Sequence, residues 1–368
     1  MRRVTRRGFL TIAAAGPVAA AALPALAGRA GASAAVVSKG HLTGLLARDP
    51  ERVTPEGAAR LRGFVQPLRW ADAQPTAGGP ISAAALTTLG KAVEKARAHG
   101  YPRLKLRLLA GCHSPAWALA LGGGALEGWQ EPEGGETWTV PRWWEPEFLE
   151  AYAAFVGALA GHLGDPEWCE VTVSGSCTIF AEPLIHQLGV AANRSLALAA
   201  GYTVDKDEAA FRKVVADQHA VLSPLGISSS VAYNPWQTID SRGRLAVRPE
   251  KTIEFMDFQR ALAGAAGIWE NNSLIARRLP DGTTEQARPD YQPMYDHMTA
   301  AAAQGHPVQF QTATLAKILD AGGTPYDTAS WAADHGGLSV ELPAGWERHG
   351  PTPEQAAALN AQMAANAG

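Results

Sequence analysis

The feature that most restricts the fold of this chain is a regular alternation between short apolar or β-branched runs and longer segments with helical spacing. Such alternation is typical of a parallel sheet whose strands are joined by crossover helices. The strand-like runs number eight, and they cover residues 41–47, 63–70, 103–111, 169–177, 226–235, 266–274, 307–314 and 338–344.

The segments between these runs carry apolar residues three and four positions apart, which is the spacing of an amphipathic helix. The clearest example begins with acids after Trp144, continues with an apolar stripe from Phe148 to Leu163, and ends at Gly164. The predicted helices cover residues 81–100, 145–164, 207–223, 252–265 and 291–305.

Eight strands with intervening helices over about 300 residues predict a single-domain (β/α)8 barrel, a TIM barrel. The alternative is an open, doubly wound sheet. That fold usually has a Gly-rich phosphate-binding turn after its first strand, and the segment that begins at His41 contains no such turn.

Composition and charge indicate which partners to expect. The 368 residues carry a net charge of −3, and no Lys/Arg block follows the first seven residues. We therefore expect no nucleic-acid-binding face and no face for anionic lipid. The expected partner is small or neutral, and the sequence gives no oligomeric state.

The sequence lacks the short motifs that usually indicate metals, nucleotides or a nucleophilic serine. It contains no His-Glu-x-x-His, no Cys-x-x-Cys, no P-loop and no Gly-x-Ser-x-Gly. We therefore predict no cofactor and no metal site. Cys112, Cys169 and Cys177 are too few and too poorly spaced for a disulfide framework, and we expect them to be buried as free thiols.

The first 35 residues resemble a twin-arginine export signal. A Thr-Arg-Arg-Gly-Phe-Leu string at residues 5–10 precedes an alanine-rich stretch, and small residues suitable for cleavage follow at 27–34. A membrane anchor is the weaker interpretation, because Gly16, Pro17 and many alanines make the stretch poorly hydrophobic. We predict a signal over residues 1–35, a barrel over 36–368, and an extracytoplasmic protein with no membrane contact after cleavage.

One insertion distinguishes the chain. Residues 121–144 follow the third predicted strand and contain four tryptophans in a Gly-rich setting. In a barrel this loop lies on the C-terminal face, where barrel enzymes have their active sites. The indoles would serve either to stack on sugars or to pack the loop onto the barrel rim, and the sequence leaves both alternatives open.

Polar and aromatic side chains collect at the predicted C-terminal ends of the strands. Because hydroxyl groups need donors and acceptors and pyranose faces need aromatic area, this composition favours a carbohydrate site. The candidate substrate-binding residues are Trp70, Asp72, His113, Trp117, Asn234, Trp236, Asn271, Gln309, Gln311 and Glu341.

Two stretches carry a family resemblance. The Trp-x-x-x-x-Pro string that starts at Trp70 and the Pro-x-Trp turn that ends at Trp117 resemble the second and third βα units of clan A glycoside hydrolases, particularly those related to family 42 β-galactosidases. The similarity resumes at Glu182-Pro183, where the clan usually has Asn-Glu-Pro. The resemblance spans residues 60–185 and implies that Glu182 is the acid/base of a glycosidase.

Two departures limit what this resemblance implies. Ala181 replaces the clan's asparagine, and strand seven carries Gln309 and Gln311 in place of the nucleophilic glutamate. Glycoside hydrolysis needs two carboxyl groups. We predict Glu270 as the second one, with Glu341 and Asp72 in reserve.

Each candidate also has a structural interpretation. Glu182 before a proline suits a helix start, Glu270 suits an ion pair with a residue such as Arg107, and Asp72 suits a turn or a helix cap. The sequence thus predicts an exported glycoside hydrolase-like enzyme, and the alternative is a degenerate barrel that binds carbohydrate without cleaving it.

Overall fold

The computed structural model describes residues 37–132 and 134–368. The predicted export signal, residues 1–35, therefore lies outside the described residues. Eight parallel strands close into a barrel, each paired with the next along the chain and the last with the first. All eight predicted strands are present, and they are β1 (Gly44–Ala47), β2 (Gly63–Arg69), β3 (Leu104–Leu109), β4 (Trp168–Thr172), β5 (Ser228–Tyr233), β6 (Gly267–Leu274), β7 (Val308–Thr312) and β8 (Ser339–Leu342).

Twelve α-helices lie in the described chain, and the longer ones surround the barrel. They are α1 (Pro55–Ala58), α2 (Trp70–Ala73), α3 (Ala83–His99), α4 (Ala116–Leu119), α5 (Pro146–Ala160), α6 (Ala191–Ala199), α7 (Val204–Leu222), α8 (Pro249–Ala263), α9 (Gln292–Ala302), α10 (Leu315–Asp320), α11 (Pro325–Asp334) and α12 (Pro353–Ala365). Short 3-10 turns cover Pro50–Arg52, Gly111–His113, Ser223–Leu225, Gly264–Ala266, Pro289–Tyr291 and Trp346–Arg348.

Helix α3 illustrates how local sequence sets these boundaries. The Ser82 side chain accepts a hydrogen bond from the Ala85 amide and so caps the N-terminus. The helix ends at Gly100, whose φ of 68° suits a residue without a Cβ. Helix α5 ends earlier than predicted, at Ala160, although the apolar stripe continues to a buried Leu163.

Three antiparallel hairpins lie outside the barrel sheet in the described part of the chain. The predicted insertion forms the hairpin of Leu126–Gln130 and Thr137–Val140. A second hairpin follows β5 and pairs Trp236–Ile239 with Leu245–Arg248. The third follows β6 and pairs Ala276–Arg278 with Thr284–Gln286.

The main hydrophobic core lies between the strands and the helices, and it includes large side chains such as Trp70, Phe155 and Trp331. Alternation along each strand sends every second side chain the other way, into the lumen. Barrel lumens are usually filled by branched apolar residues. Here the lumen of β3 to β8 is filled mostly by charged and polar side chains, and this unusual filling defines the candidate site.

Candidate active site

The centre of the lumen is occupied by the ammonium group of Lys105. Its Nζ lies 3.0 Å from Glu170, 2.5 Å from Glu270 and 3.1 Å from Glu341, and all four side chains are essentially inaccessible to solvent. Although burial alone would lower the pKa of Lys105, the three carboxylates raise it, so the lysine remains an ammonium ion. Carboxyl groups from β4, β6 and β8 thus converge on one cation from β3.

Glu341 has the strongest cationic surroundings of these carboxyl groups. Both of its oxygens lie 2.6 Å from Arg107 Nη2, and Oε2 lies 3.8 Å from Arg48 Nε. Burial opposes ionisation, but Arg107 and Lys105 outweigh it and hold the pKa of Glu341 well below its usual range. Glu341 is therefore a carboxylate at neutral pH.

Glu270 lies beside Glu341 and differs from it in charge state. Burial raises the pKa of Glu270, Lys105 opposes that shift, and the neighbouring negative charge of Glu341 adds to it. Arg107 Nη2 is 4.0 Å from Glu270, farther than the lysine. The two carboxyl groups consequently titrate as a pair, with Glu341 holding the negative charge and Glu270 holding the proton longer.

Glu182 lies in the loop that follows β4, at the C-terminal mouth of the barrel. Its Oε1 accepts a hydrogen bond of 2.5 Å from Asn272 Nδ2, at the end of β6, and its buried Oε2 has no partner among the described residues. Burial raises the pKa of Glu182, the charges of Arg107 and Arg48 oppose the shift, and Glu341 adds to it. Glu182 is therefore a carboxyl group with one oriented oxygen and one free oxygen.

The loop of Glu182 is held against the loop that follows β3. The Cys112 amide donates to the Thr178 carbonyl over 2.7 Å, and the Thr178 hydroxyl donates to Gln187 Oε1 over 2.7 Å. Gly111 makes this close approach possible. A Cβ at Gly111 would lie 1.9 Å from the Thr178 oxygen, and its φ of +57° also favours glycine.

We expect Gly111→Ala to displace the Glu182 loop and to lower kcat/KM by about 10²-fold on any substrate that Glu182 serves, because small misplacements of reacting groups are costly. Steady-state kinetics measure this effect. Gly100→Ala is the matched control, since Gly100 has a similar φ of +68° but open space at its Cβ position. Equal activity of the two variants would contradict the positioning role.

Two glutamines on β7 complete the polar lumen. Gln309 Nε2 donates to Glu170 Oε2 over 2.7 Å, so this amide is already bound to the carboxyl cluster. Gln311 pairs in register with Glu341, and its buried Nε2 has no partner among the described residues. Arg48 Nε is a second such donor, although another nitrogen of the same group binds the Thr312 carbonyl. Buried donors without a hydrogen-bond partner among the described residues therefore lie on both sides of Glu341, one on β7 and one directly after β1.

Several predicted site residues lie outside the lumen, in the layer between strands and helices. Trp70 is fully buried against Phe155 and Trp117, so it presents no free face to a ligand. Trp236 is also buried, and its indole donates to Asp207. Asn271 faces outward, where it donates to the Tyr233 carbonyl and accepts from the Tyr295 hydroxyl.

The remaining predicted residues lie near the mouth but away from the carboxyl cluster. Asp72 is exposed in α2, and His113 is half-buried with its ring edge-on to Trp138. Trp117 is half-buried and donates to the Gln74 carbonyl. Asn234 is buried, and its Oδ1 accepts from the Tyr291 hydroxyl. Of the predicted residues, the structure brings together Glu182, Glu270, Gln309, Gln311 and Glu341.

The tryptophan-rich insertion packs as a small satellite core. Trp129 and Trp143 are fully buried, and their indoles donate to Gln187 and Asp207. Trp144 is buried as well, and only Trp138 retains partial exposure. The packing alternative therefore accounts for three of the four indoles.

Lys105, Glu170 and Arg48 were not predicted as site residues, Arg107 was named only as an ion-pair partner for Glu270, and Asn272 was not among the predicted substrate-binding residues. A signal for Lys105, Arg107 and Glu170 was present. Lys105 and Arg107 alternate with leucines on a strand that had to be buried, and Glu170 lies between apolar neighbours on the next strand. Charged residues at every second position of a buried strand indicate a charged lumen. Arg48 directly follows β1, and Asn272 lies near the end of β6. Neither residue belongs to such an alternating pattern of charged and apolar residues.

The described residues contain no group of His, Cys, Asp or Glu side chains arranged to hold a metal ion. Cys112, Cys169 and Cys177 are free thiols. Cys169 and Cys177 are buried as predicted, whereas Cys112 is only half-buried. No helix within 37–132 and 134–368 has both the length and the apolar character needed to cross a membrane.

Comparison with solved structures identifies the fold. The catalytic domain of β-amylase from Paenibacillus polymyxa is similar over 91% of this chain and 100% of that domain, with 10% identity and a TM-score of 0.53. The chain has the (β/α)8 barrel fold. No protein-family model and no curated protein matches the sequence.

Other similar barrel structures share less of their geometry with this chain. An endo-β-1,4-glucanase from Xanthomonas axonopodis pv. citri has 12% identity, a TM-score of 0.46 and coverage of 89% of this chain and 95% of that one. An exo-β-1,4-mannosidase from Opitutaceae bacterium strain TAV5 has 13% identity, a TM-score of 0.44 and coverage of 87% and 60%. These similar proteins are glycoside hydrolases, and the likeness is one of fold.

Proposed function

We propose that this protein is a glycoside hydrolase-like enzyme that cleaves O-glycosidic bonds, with Glu182 as its general acid/base. The observation that carries the proposal is the free, desolvated Oε2 of Glu182 at the C-terminal mouth of a polar barrel lumen. Active sites of such barrels lie on this face. Burial raises the pKa of Glu182, so it holds its proton to higher pH than an ordinary glutamic acid, and glycoside cleavage needs a carboxyl group that donates a proton.

In this proposal the proton on Glu182 Oε2 passes to the glycosidic oxygen as the bond from that oxygen to the anomeric carbon breaks. The hydrogen bond from Asn272 to Oε1 orients the carboxyl group and leaves Oε2 to carry the proton. Arg48 and Arg107 stabilise the carboxylate that remains after transfer, because both charges act on Glu182. A water molecule supplies the hydroxyl group that the anomeric carbon gains, and its remaining proton replaces the one that Glu182 gave to the leaving group.

The second carboxyl group is Glu270 in the sequence-based hypothesis. The electrostatics favour Glu341 for this role, because the nucleophile or base must be ionised and the pKa of Glu341 is lowered whereas that of Glu270 is raised. Glu341 also acts electrostatically on Glu182. We therefore propose Glu341 as the second catalytic carboxylate. Glu270 and Lys105 are its neighbours in the lumen, and the charge of Lys105 helps to keep Glu341 ionised.

The free donors beside Glu341 suit a hydroxylated substrate. Gln311 Nε2 and Arg48 Nε are buried without a hydrogen-bond partner among the described residues, and sugar hydroxyls accept such bonds. Leaving buried donors unpaired costs about 1–3 kcal/mol each. A bound sugar would therefore recover part of this cost, which favours a carbohydrate partner over an apolar one.

The test is a substrate screen with the purified protein, using aryl glycosides and β-linked oligosaccharides of glucose, galactose, mannose and xylose. We expect reducing sugar to be released from at least one series. Proton NMR of the first product would identify its anomeric configuration and so distinguish a retaining enzyme from an inverting one. The two kinds differ in the separation of their carboxyl groups, which is about 5–5.5 Å for retention and about 6.5–9.5 Å for inversion. No release from any series would reject the proposed hydrolysis.

The pH dependence provides a separate prediction. Because the pKa of Glu182 is raised, its acid form persists to higher pH than an ordinary glutamic acid, and kcat/KM should fall as pH rises through that value. Arg48 lowers the pKa of Glu182, so Arg48→Met should move this alkaline limb upward by about 0.5–1 pH unit. The pH profile of kcat/KM for both proteins measures the shift. A downward or absent shift would contradict the assignment.

A carbohydrate-binding barrel without hydrolysis is the second candidate. It is favoured by the ion pairs of Lys105 with Glu170, Glu270 and Glu341, which engage the lumen carboxyl groups, and by the two amides on β7. A protein of this kind would bind oligosaccharides in calorimetry and release no reducing sugar from them. The relation to family 42 β-galactosidases belongs to the hydrolytic proposal and rests on the motifs around Trp70, Trp117 and Glu182.

We also propose that the protein is exported by the twin-arginine route and acts outside the cytoplasm. Replacing both Arg6 and Arg7 with lysine should abolish export of the precursor, because the paired arginines are the recognised element of such signals. Fractionation of cells that express the wild type and the double variant measures the mature protein outside the cytoplasm. Equal export of the two would contradict the route.

A further inference from the structure

The loop that carries Glu182 is closed at its base by hydrogen bonds from its own side chains. His186 Nε2 lies 2.9 Å from the carbonyl oxygen of Ser176, ten positions earlier in the chain. The Thr178 hydroxyl donates to Gln187 Oε1 over 2.7 Å. These four residues form the loop base, and Glu182 lies between its two halves in the chain. Groups that hold the loop base therefore also hold Glu182.

The loop base contains a residue with an unfavourable backbone conformation. Gln187 has a φ of +50°, and among residues 37–132 and 134–368 only Ser273 is another non-glycine residue with a positive φ. Such residues persist where their surroundings hold them, and they occur preferentially at functional sites. Gln187 directly follows His186, and Ser273 directly follows Asn272, which donates to Glu182. Both unusual conformations therefore adjoin residues that bear on the position of Glu182.

The His186 ring is held on two further sides. Its Nδ1 lies 3.6 Å from Asp207 Oδ2, and its face stacks on the Trp143 indole with the ring centroids 4.2 Å apart. Because a carbonyl oxygen only accepts hydrogen bonds, Nε2 carries the hydrogen that points to Ser176. Nδ1 faces the carboxyl group, and a partner at one ring nitrogen orients the other. The ring is thus fixed with its donor toward the Ser176 carbonyl.

Asp207, in the first turn of α7, is itself held by three hydrogen bonds. Trp143 Nε1 donates to Oδ1 over 2.8 Å, and Tyr202 and Trp236 donate to Oδ2 over 3.0 and 3.1 Å. Burial raises the pKa of Asp207, and the charge of His186 and these three donors oppose the shift. Asp207 therefore connects the loop base to α7, to the tryptophan-rich insertion and to the hairpin that follows β5.

We propose that His186 is a positioning residue for the general acid, and that Asp207 holds His186 in this role. The hydrogen bond from Nε2 to the Ser176 carbonyl fixes the loop base, and the loop base fixes where Glu182 Oε2 meets the glycosidic oxygen. This inference rests on the proposed function in its use of Glu182. His186 is fully buried, so it acts through the loop and not on the substrate.

The test compares His186→Met, which removes the donor, with His186→Gln, whose amide nitrogen has a reach similar to that of Nε2. Both are assayed on the oligosaccharide that the screen identifies and on the glycosyl fluoride of the same sugar, whose leaving group needs no proton. We expect His186→Met to lower kcat/KM roughly ten- to hundredfold on the oligosaccharide and at most about threefold on the fluoride. His186→Gln should restore the oligosaccharide activity to within about threefold of the wild type.

The matched control is His297→Met, which removes the surface pair of His297 with Asp257, 2.9 Å apart between α9 and α8. We expect it to change neither rate by more than about twofold. If His186→Met does not fold, His186→Asn replaces it, because its shorter amide reaches toward Asp207 and leaves the Ser176 carbonyl unbonded. Equal losses on the two substrates, no loss on the oligosaccharide, or no recovery in His186→Gln would overturn the positioning role.

Amide hydrogen exchange, followed by mass spectrometry, examines the loop base without a substrate. We expect the segment 176–187 to exchange about tenfold faster in His186→Met than in the wild type, to exchange at the wild-type rate in His186→Gln, and β8 to stay unchanged in both. If the wild type cleaves no glycoside, the proposed function fails by itself, and this measurement decides whether His186 holds the loop. Unchanged exchange of 176–187, or equally faster exchange of β8, would overturn that role.

Discussion

Glu182→Gln is expected to lower kcat/KM on an oligosaccharide by about 10²–10⁴-fold, the usual contribution of a positioned general acid. The substitution keeps the size of the side chain and removes the transferable proton. Glu182 Oε2 has no partner among the described residues, so replacing it with an amide breaks no bond of the folded protein at that atom. Steady-state kinetics at the pH optimum measure the effect.

Two controls separate catalysis from folding in this experiment. Glu94→Gln changes an exposed acid on α3, and we expect it to leave the rate within about twofold, as a surface substitution far from the site should. Urea unfolding of Glu182→Gln should give a midpoint close to that of the wild type. A rate within a factor of three of the wild type would remove Glu182 from the mechanism.

Lys105→Met is expected to lower the free energy of unfolding by about 3–5 kcal/mol, because it leaves buried carboxyl groups without their shared cation. Lys105 contacts Glu170, Glu270 and Glu341 within 3.1 Å, and none of these side chains is accessible enough to be hydrated. Urea unfolding followed by circular dichroism measures the loss as a lower midpoint.

The matched control for this prediction is Lys213→Met, which removes an ion pair with Asp217 on the surface of α7. Such pairs contribute about 0–1 kcal/mol. The double variant Lys105→Met/Glu270→Gln should recover part of the loss, since it removes one of the unpaired acids. Equal stability of Lys105→Met and Lys213→Met would contradict the account of the lumen.

The order of strands and helices could be predicted from the sequence because it depends on local periodicity. Each of the eight strand-like runs overlaps a strand of the barrel, and the insertion after β3 forms its own hairpin. These features follow from short stretches of chain. The closure of the ring then follows from the number of strands and the regularity of the crossovers.

Whether a strand residue faces the lumen or the helices was harder to predict, because an error of one position along the strand exchanges the two faces. Glu270 faces the lumen, so Asn271 must face the helices, and Asn272 is the amide that reaches Glu182. The same alternation places Trp70 outside the lumen. Val65 pairs with the lumen residue Lys105, so the odd-numbered positions of β2 face the lumen and the even-numbered ones face the helices. Alternation applied strictly would have identified both cases.

The charge state of the candidate site could not be predicted from the sequence, because it depends on contacts between distant strands. Lys105 and Glu270 are separated by 165 positions in the chain, and Arg107 and Glu341 by 234. The structural interpretation of Glu270 was an ion pair with a residue such as Arg107. Arg107 does lie 4.0 Å from Glu270, but Lys105, at 2.5 Å, is the nearer cation. Only the closed barrel decides which carboxyl group stays ionised.

The measurement that tests the central claim most directly is kcat/KM of Glu182→Gln on a matched pair of substrates, an oligosaccharide and the glycosyl fluoride of the same sugar. Fluoride leaves without a proton, so a variant that lacks only the general acid should cleave it within about threefold of the wild-type rate while it loses 10²-fold or more on the oligosaccharide. Equal losses on the two substrates, or none on the oligosaccharide, would contradict proton donation by Glu182.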